Sequence, residues 1–363
     1  MRKGFLAIAV SLVLVAVFGT TSMDKVRLVP AAESASVKTY KIAWSHYTGW
    51  EPWAYANKAG ILKKWGEKYN IKIELKLLSY TESINQYTSG AYDGVVITNM
   101  DALLTPAVGG VDSTVVEIGD YSNGNDGVVV KVGSGVKDLK GQNVILVQYT
   151  VSHYLLSRAL SKNGMAEKDV KLTNVDDENQ IPGIFLKGRD AAVTWNPLLM
   201  QIRNMKDAKM VFDSSKIPGE IIDMLVVRTS APDELKRALA GAWYETMSQM
   251  SGAVGVSAKV KSNVYMAESA GNTTKEFEAQ IKTTRMFYNP AEAAAFTRSP
   301  ELKQTMELVR SFLFEHGLYG QNAKSKDDIG IQFPDGSIMG NPKNVKLRFD
   351  ATYMQLAAEG KLK

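Results

Sequence analysis

The sequence predicts an α/β protein made of two similar strand-and-helix units and a helical tail. Three observations carry that expectation. Short apolar or alternating runs recur between amphipathic stretches in the order β-α-β-α-β. The same order restarts near residue 136. From Ala231 onward almost every stretch has helical periodicity. Strands that alternate with helices need crossover connections, which implies mostly parallel sheets with helices on both faces.

In chain order, "VKTYKIAW" (Val37–Trp44) reads as a strand and "PWAYANKAGILKKWGEKY" as one amphipathic helix closed near Asn70. "IKIELKLL" alternates cleanly, "YTESINQYTSG" is a helix ending at Gly90, and "AYDGVVIT" is a buried strand. A short helix over "MDALLTPAVGG" precedes the strands "STVVEIGDY" and "DGVVVKV". The second unit opens with the helical turn "GVKDLKG", a strand over Asn143–Val147 and a helix from Ser152. "KDVKLTNV" is a strand, "DENQIPGIFLKG" a helix, and "RDAAVTW", "AKMVFDSS" and "IIDMLVVRTS" are strands. The second unit thus sits inside the first, entered near 127–131 and left near 224–228, so two connecting strands make a hinge. The expected division is 1–35 for an export signal and disordered start, 36–128 for the first part of lobe 1, 129–223 for lobe 2, and 224–363 for the return to lobe 1 with C-terminal helices.

Composition narrows the function classes. Of the 363 residues 45% are hydrophobic, enough for a real core, and the net charge of +5 is spread without a basic block. Nucleic-acid binding gains no support from that pattern. There is no cysteine, so thiol chemistry, disulfides and cysteine metal sites are excluded. "MRKGFLAIAVSLVLVAVFGTTS" has a basic start and an apolar stretch from Phe5 to Phe18. That is the pattern of a cleaved export signal, and it is shorter than the ~20 residues of a spanning helix. Cleavage is expected between Gly19 and Ala35, and a periplasmic location follows.

Ligands of open α/β sheets bind beyond the carboxyl ends of strands. The loops there are "HYTGWEPW", "TNMDAL", "DYSNGNDG", "QYTVSHY", "TWNP" and "GEIIDM", and none contains lysine or arginine. The candidate ligand-binding residues are Tyr47, Trp50, Glu51, Trp53, Asn99, Asp101, Asp126, Tyr149, His153, Trp195, Asn196 and Asp223, with Asp120 and Glu220 as further acids. Carboxylates beside aromatic faces suit a compact cation: the ring face attracts positive charge, and a carboxylate accepts two parallel N–H bonds from a guanidinium. Urea offers the same N–H edges without charge. Several residues also have plain structural readings. Trp53 and Trp65 fall at helical spacing with Ala56 and Ile61, Glu51 and Asp101 stand where helix caps stand, and Asp126 lies in a turn sequence.

"KIAW…GWEPWAYANKAGILKKWG", "YDGVVIT", "GVKDLKGQNVILVQYTVSHYLLSRALSKNGM", "DVKLTNV" and "PGIFLKGRDAAVTWNP" together resemble the blocks of periplasmic substrate-binding proteins of nitrate/sulfonate/taurine-type ABC importers. "YTGWEPW" and "TWNP" look most similar to the binding proteins encoded beside urea carboxylase and its guanidine-using relatives. The resemblance implies a bilobed type II periplasmic-binding-protein fold, with the helical C-terminal portion packed on lobe 1. It also implies a monomer without cofactor or catalytic residues that captures a small nitrogen compound for a permease and ATPase. Anion-binding relatives would need a cationic group at the ligand, and the loops here have the opposite sign. A sensory receptor would use the same closing fold. A related thiamine-precursor synthase carries a cysteine-rich motif and works in the cytosol, and both features disagree with this sequence. Only His46, His153 and His316 are present. The first two are placed to face each other across the cleft, and no HxxxH spacing points to a metal.

Overall fold

A computed structural model describes residues 37–188 and 191–362; the expected export signal lies outside the described residues. The alternating and apolar runs become strands of two sheets. β1 (Lys38–Trp44), β2 (Ile71–Leu77), β3 (Gly94–Thr98) and β4 (Ser113–Ser122) enter the larger sheet. β5 (Asp126–Val130), β6 (Asn143–Leu146), β7 (Lys171–Asn174), β8 (Ala191–Trp195) and β9 (Lys209–Asp213) form the smaller one, in the order β7-β6-β8-β5-β9. The chain then returns through β10 (Ile222–Arg228), which inserts between β3 and β4. β3, β5 and β8 are buried along their whole length, as their unbroken apolar runs require.

The structure corrects four expectations. Both sheets are mixed rather than mostly parallel, because the strands that carry the chain into and out of the smaller sheet, β5 and β10, run antiparallel to their neighbours. The crossings are not inside those strands. They are the short links 123–125 and 214–221, where the Ser122 and Ser214 hydroxyls meet at 2.7 Å and Gly124 N–H donates to Ser214 Oγ. The C-terminal portion is not only helical: β11 (Thr284–Met286), β12 (Gly330–Gln332), β13 (Ile338–Met339) and β14 (Val345–Phe349) extend the larger sheet to the order β13-β12-β14-β4-β10-β3-β1-β2, with β11 on β4. The helix expected over 52–69 is two helices, Glu51–Lys58 and Ile61–Lys68. Gly60 separates them at φ +74°, a backbone region that glycine enters without penalty.

Of the helices that follow Ala231, Asp233–Ser251, Pro290–Thr297 and Thr352–Ala358 pack on β4, and the first of them buries Trp243 against Trp53. Among the described residues, no helix is long and apolar enough to cross a membrane.

Candidate functional site

β10 runs antiparallel between β3 and β4, so the carboxyl ends of those two strands meet the start of β10 at one edge. Register then places Asp223 beside Thr98 on one side and Asp120 on the other. The smaller sheet does the same from its own side, pairing Asp126 at the start of β5 with Trp195 at the end of β8. Between these edges lies a small pocket lined by Tyr47, Trp50, Tyr80, Asp126, Trp195 and Asp223 together with Thr98, Val151 and Ile221. It offers about 10 Å³ to the centre of a water-sized body, roughly one water molecule's worth.

Four aromatic rings form a continuous wall. Tyr47 and Trp50 meet edge-on at 5.2 Å, Trp50 and Tyr80 are 5.4 Å apart, and Tyr80 meets Trp195 at 5.5 Å. The carboxylates are more unusual. Asp120, Asp126 and Asp223 are all buried, and no lysine or arginine lines the pocket among the described residues. Tyr47 OH reaches Asp120 Oδ1 at 3.4 Å, yet Oδ2 of Asp120 and Oδ2 of Asp223 have no hydrogen-bond donor. The Trp50 indole N–H is likewise unpaired. Burial pushes Asp120 up to about 8, with the charge of Asp126 adding and bonds from Asp223 and Tyr47 opposing. Burial also raises Asp126 to about 7 and, with the charges of Asp120 and Asp126, drives Asp223 well above the carboxylate range. These acids hold protons because nothing positive compensates them.

The other candidates fall elsewhere. Asp101 accepts bonds on Oδ2 from Tyr80 OH (2.6 Å), Thr98 Oγ1 (2.8 Å) and Val151 N (3.3 Å), and lies on a wider open groove of about 300 Å³ beside Tyr149. Glu51 is buried at the start of its helix and bonds His46 Nδ1 at 2.6 Å. Trp53 is fully enclosed against Trp243. Asn99 clamps the returning chain, donating to Glu220 O and accepting from Ile222 N. Asn196 donates to Asn125 Oδ1 in the crossing link. His46 and His153 do not face each other: His46 is held by Glu51, whereas His153 turns to Glu167 and His316. Tyr80, Thr98, Val151 and Ile221 line the pocket without having been candidates. Tyr80 follows directly on a strand end, a signal equal in kind to the one that marked Trp50.

Several bonds join the two sheet-bearing halves around the pocket. Trp195 Nε1 donates to His46 O, Tyr80 N to Glu178 Oε1, and Arg158 grips Glu220 with two bonds of 2.7 and 2.9 Å. The halves are closed on each other.

Residues 63–231, less than half of the chain, match the family model described as NMT1/THI5 like. No curated protein sequence matches the chain. Among solved structures the chain is similar to the alkanesulfonate-binding protein SsuA from Xanthomonas axonopodis pv. citri bound to MOPS, at 13% identity and TM-score 0.62 over 79% of this chain and 96% of that one. It is similar to the periplasmic aliphatic sulphonate binding protein SsuA from Escherichia coli, at 16% identity and TM-score 0.61 over 79% and 96%. It is also similar to the periplasmic nitrate-binding protein NrtA from Synechocystis PCC 6803, at 14% identity and TM-score 0.54 over 90% and 99%. The fold is therefore that of the periplasmic binding proteins: two mixed sheets with flanking helices.

Proposed function

We propose that the protein is the solute-binding component of an ABC importer and that it captures a small nitrogen-rich cation, guanidinium first, for delivery to a membrane permease and its ATPase. The observation that carries the charge of the guest is the trio Asp120, Asp126 and Asp223, buried around the pocket with no cationic side chain lining it. Leaving such acids without a partner costs several kcal/mol in order of magnitude, and a cationic guest removes that cost. A planar guanidinium presents N–H edges to carboxylates on two sides while the four rings cover its faces.

The contrast with the solved relatives supports the same reading. The solved relatives named above bind sulfonates or nitrate by their descriptions, including one holding MOPS. The present pocket lacks the positive group that a sulfonate or nitrate needs. Urea matches guanidinium in size, but its oxygen would meet acids where it needs donors. An enzyme reading along the thiamine-precursor line gains nothing from the pocket, which lacks a lysine and any thiol. Location in the periplasm and a role as a monomer belong to the same proposal.

Titration calorimetry with guanidinium, urea, methylguanidine, nitrate and taurine tests it. Guanidinium is expected to bind at one per chain, at least a hundredfold more tightly than urea, with no heat from nitrate or taurine. Tight binding of nitrate or taurine overturns the reading.

A further inference from the structure

Away from the pocket, three side chains from distant parts of the chain converge. His153 lies in the helix Val151–Lys162, Glu167 begins the short turn Glu167–Asp169, and His316 caps the helix Pro300–Glu315. Their ligating atoms all lie within 4.8 Å of one another. Glu167 bridges the two rings, with Oε2 at 3.1 Å from His153 Nε2 and Oε1 at 2.7 Å from His316 Nε2. We propose that His153, Glu167 and His316 form a binding site for a divalent transition metal of the zinc class.

Two nitrogen donors and one carboxylate are a donor set that zinc takes with a fourth, solvent-supplied ligand. Zinc bonds of about 2.0–2.1 Å in a tetrahedron set donors about 3.3 Å apart, and the two Glu167 contacts, one on each carboxylate oxygen, are close to that spacing. His153 is 1% exposed, and its Nε2 faces the centre of the trio with the Glu167 carboxylate 3.1 Å away. His316 Nδ1 points at Phe312 O at 2.7 Å, which fixes the N–H on that nitrogen and turns Nε2 inward as a ligand. That outer carbonyl is the support that metal-binding histidines have. Glu167 and His316 keep 25% and 20% side-chain exposure, leaving an entry path and room for water.

Metal-free, the Nε2 of His316 must carry a proton to sit against a carboxylate at 2.7 Å, so zinc binding expels that proton. His153 Nδ1 accepts a long 3.3 Å bond from Tyr149 N. Ligation through Nε2 moves the ring proton to Nδ1 and turns that peptide aside. Tyr149 already holds φ +61° on the exposed rim, so the adjustment is local. The site also has a mechanical consequence. His153 and Glu167 lie on the smaller-sheet side, whereas the helix that ends at His316 packs with the larger-sheet side through Asn99 and Met306. A bound metal ties the two halves together, whatever solute fills the pocket.

The test is zinc titration of the chelator-treated full chain by calorimetry, with cobalt absorption as a second readout. One zinc per chain is expected, with proton release, a higher melting temperature, and the visible bands of tetrahedral cobalt. His316→Ala should weaken zinc at least tenfold and abolish the cobalt bands while guanidinium binding stays unchanged. Glu167→Gln gives the same comparison should His316→Ala fail to fold. No stoichiometric zinc binding, or equal zinc affinity in wild type and in a folded variant, overturns the proposal.

Discussion

Asp101 and Asp223 are buried to nearly the same degree, yet they are different objects. Asp101 has three donors on one oxygen, and burial lifts it only to about 6. Asp223 faces Asp120 and Asp126, keeps an oxygen without a donor, and is pushed far above the carboxylate range. The first is a satisfied strut that joins Tyr80, Thr98 and Val151. The second is an acid that the folded chain keeps protonated for want of a positive partner. Burial alone therefore does not mark a site; missing donors beside a pocket single out Asp223.

The sharpest break of that comparison is Asp223→Asn. It is expected to lower guanidinium affinity by a hundredfold or more while raising the melting temperature of the ligand-free protein, because an uncompensated acid is removed. Calorimetry and thermal melting check the two arms together.

Acidity comes next. Asp126 near 7 and Asp120 near 8 stand far above their unfolded values. From about pH 4 upward the folded ligand-free chain holds protons that the unfolded chain has released, so its stability falls as pH rises through the values of Asp126 and Asp120, and Asp223 carries the fall further. A monovalent cation displaces one of these protons. Guanidinium affinity is expected to rise roughly tenfold from pH 6 to pH 7, the slope of one proton released. Melting and titration at pH 5, 6, 7 and 8 measure both slopes.

Trp50→Leu removes one face of the wall and leaves the acids in place. A loss of about 3- to 30-fold in affinity is expected from the cation–ring attraction. The smallest effect on binding belongs to Asp101→Asn. Affinity should change by less than threefold, while stability drops by about 1–3 kcal/mol as the donors lose their charged acceptor. Equal affinity losses in Asp101→Asn and Asp223→Asn would erase the distinction between strut and site.

Much of this was legible in the sequence. The period-2 and apolar runs gave β1 to β10 to within a few residues, because half-buried and fully buried strands write themselves in side-chain pattern. The short C-terminal strands did not: "GIQ" and "TRM" are three residues each and borrow their stability from the sheet edge they join. The break at Gly60 was visible as a glycine but not as a left-handed turn. At the site, strand-end loops nominated Tyr47, Trp50, Asp126, Trp195 and Asp223, which the structure brings to one pocket. The same loops nominated Glu51 and Asn99, which bond inward instead. Sequence order does not show that Ile222, more than a hundred residues away, reaches Asn99, nor that His46, five residues before Glu51, turns back onto it.

The most direct measurement is diffraction from crystals of the chain grown with millimolar guanidinium. The expected result is a planar guest between Asp126 and Asp223, its faces covered by Trp50 and Trp195, with both carboxylates at hydrogen-bond distance. A pocket that remains closed over water alone, or a guest held instead at Asp101 on the outer groove, would contradict the account.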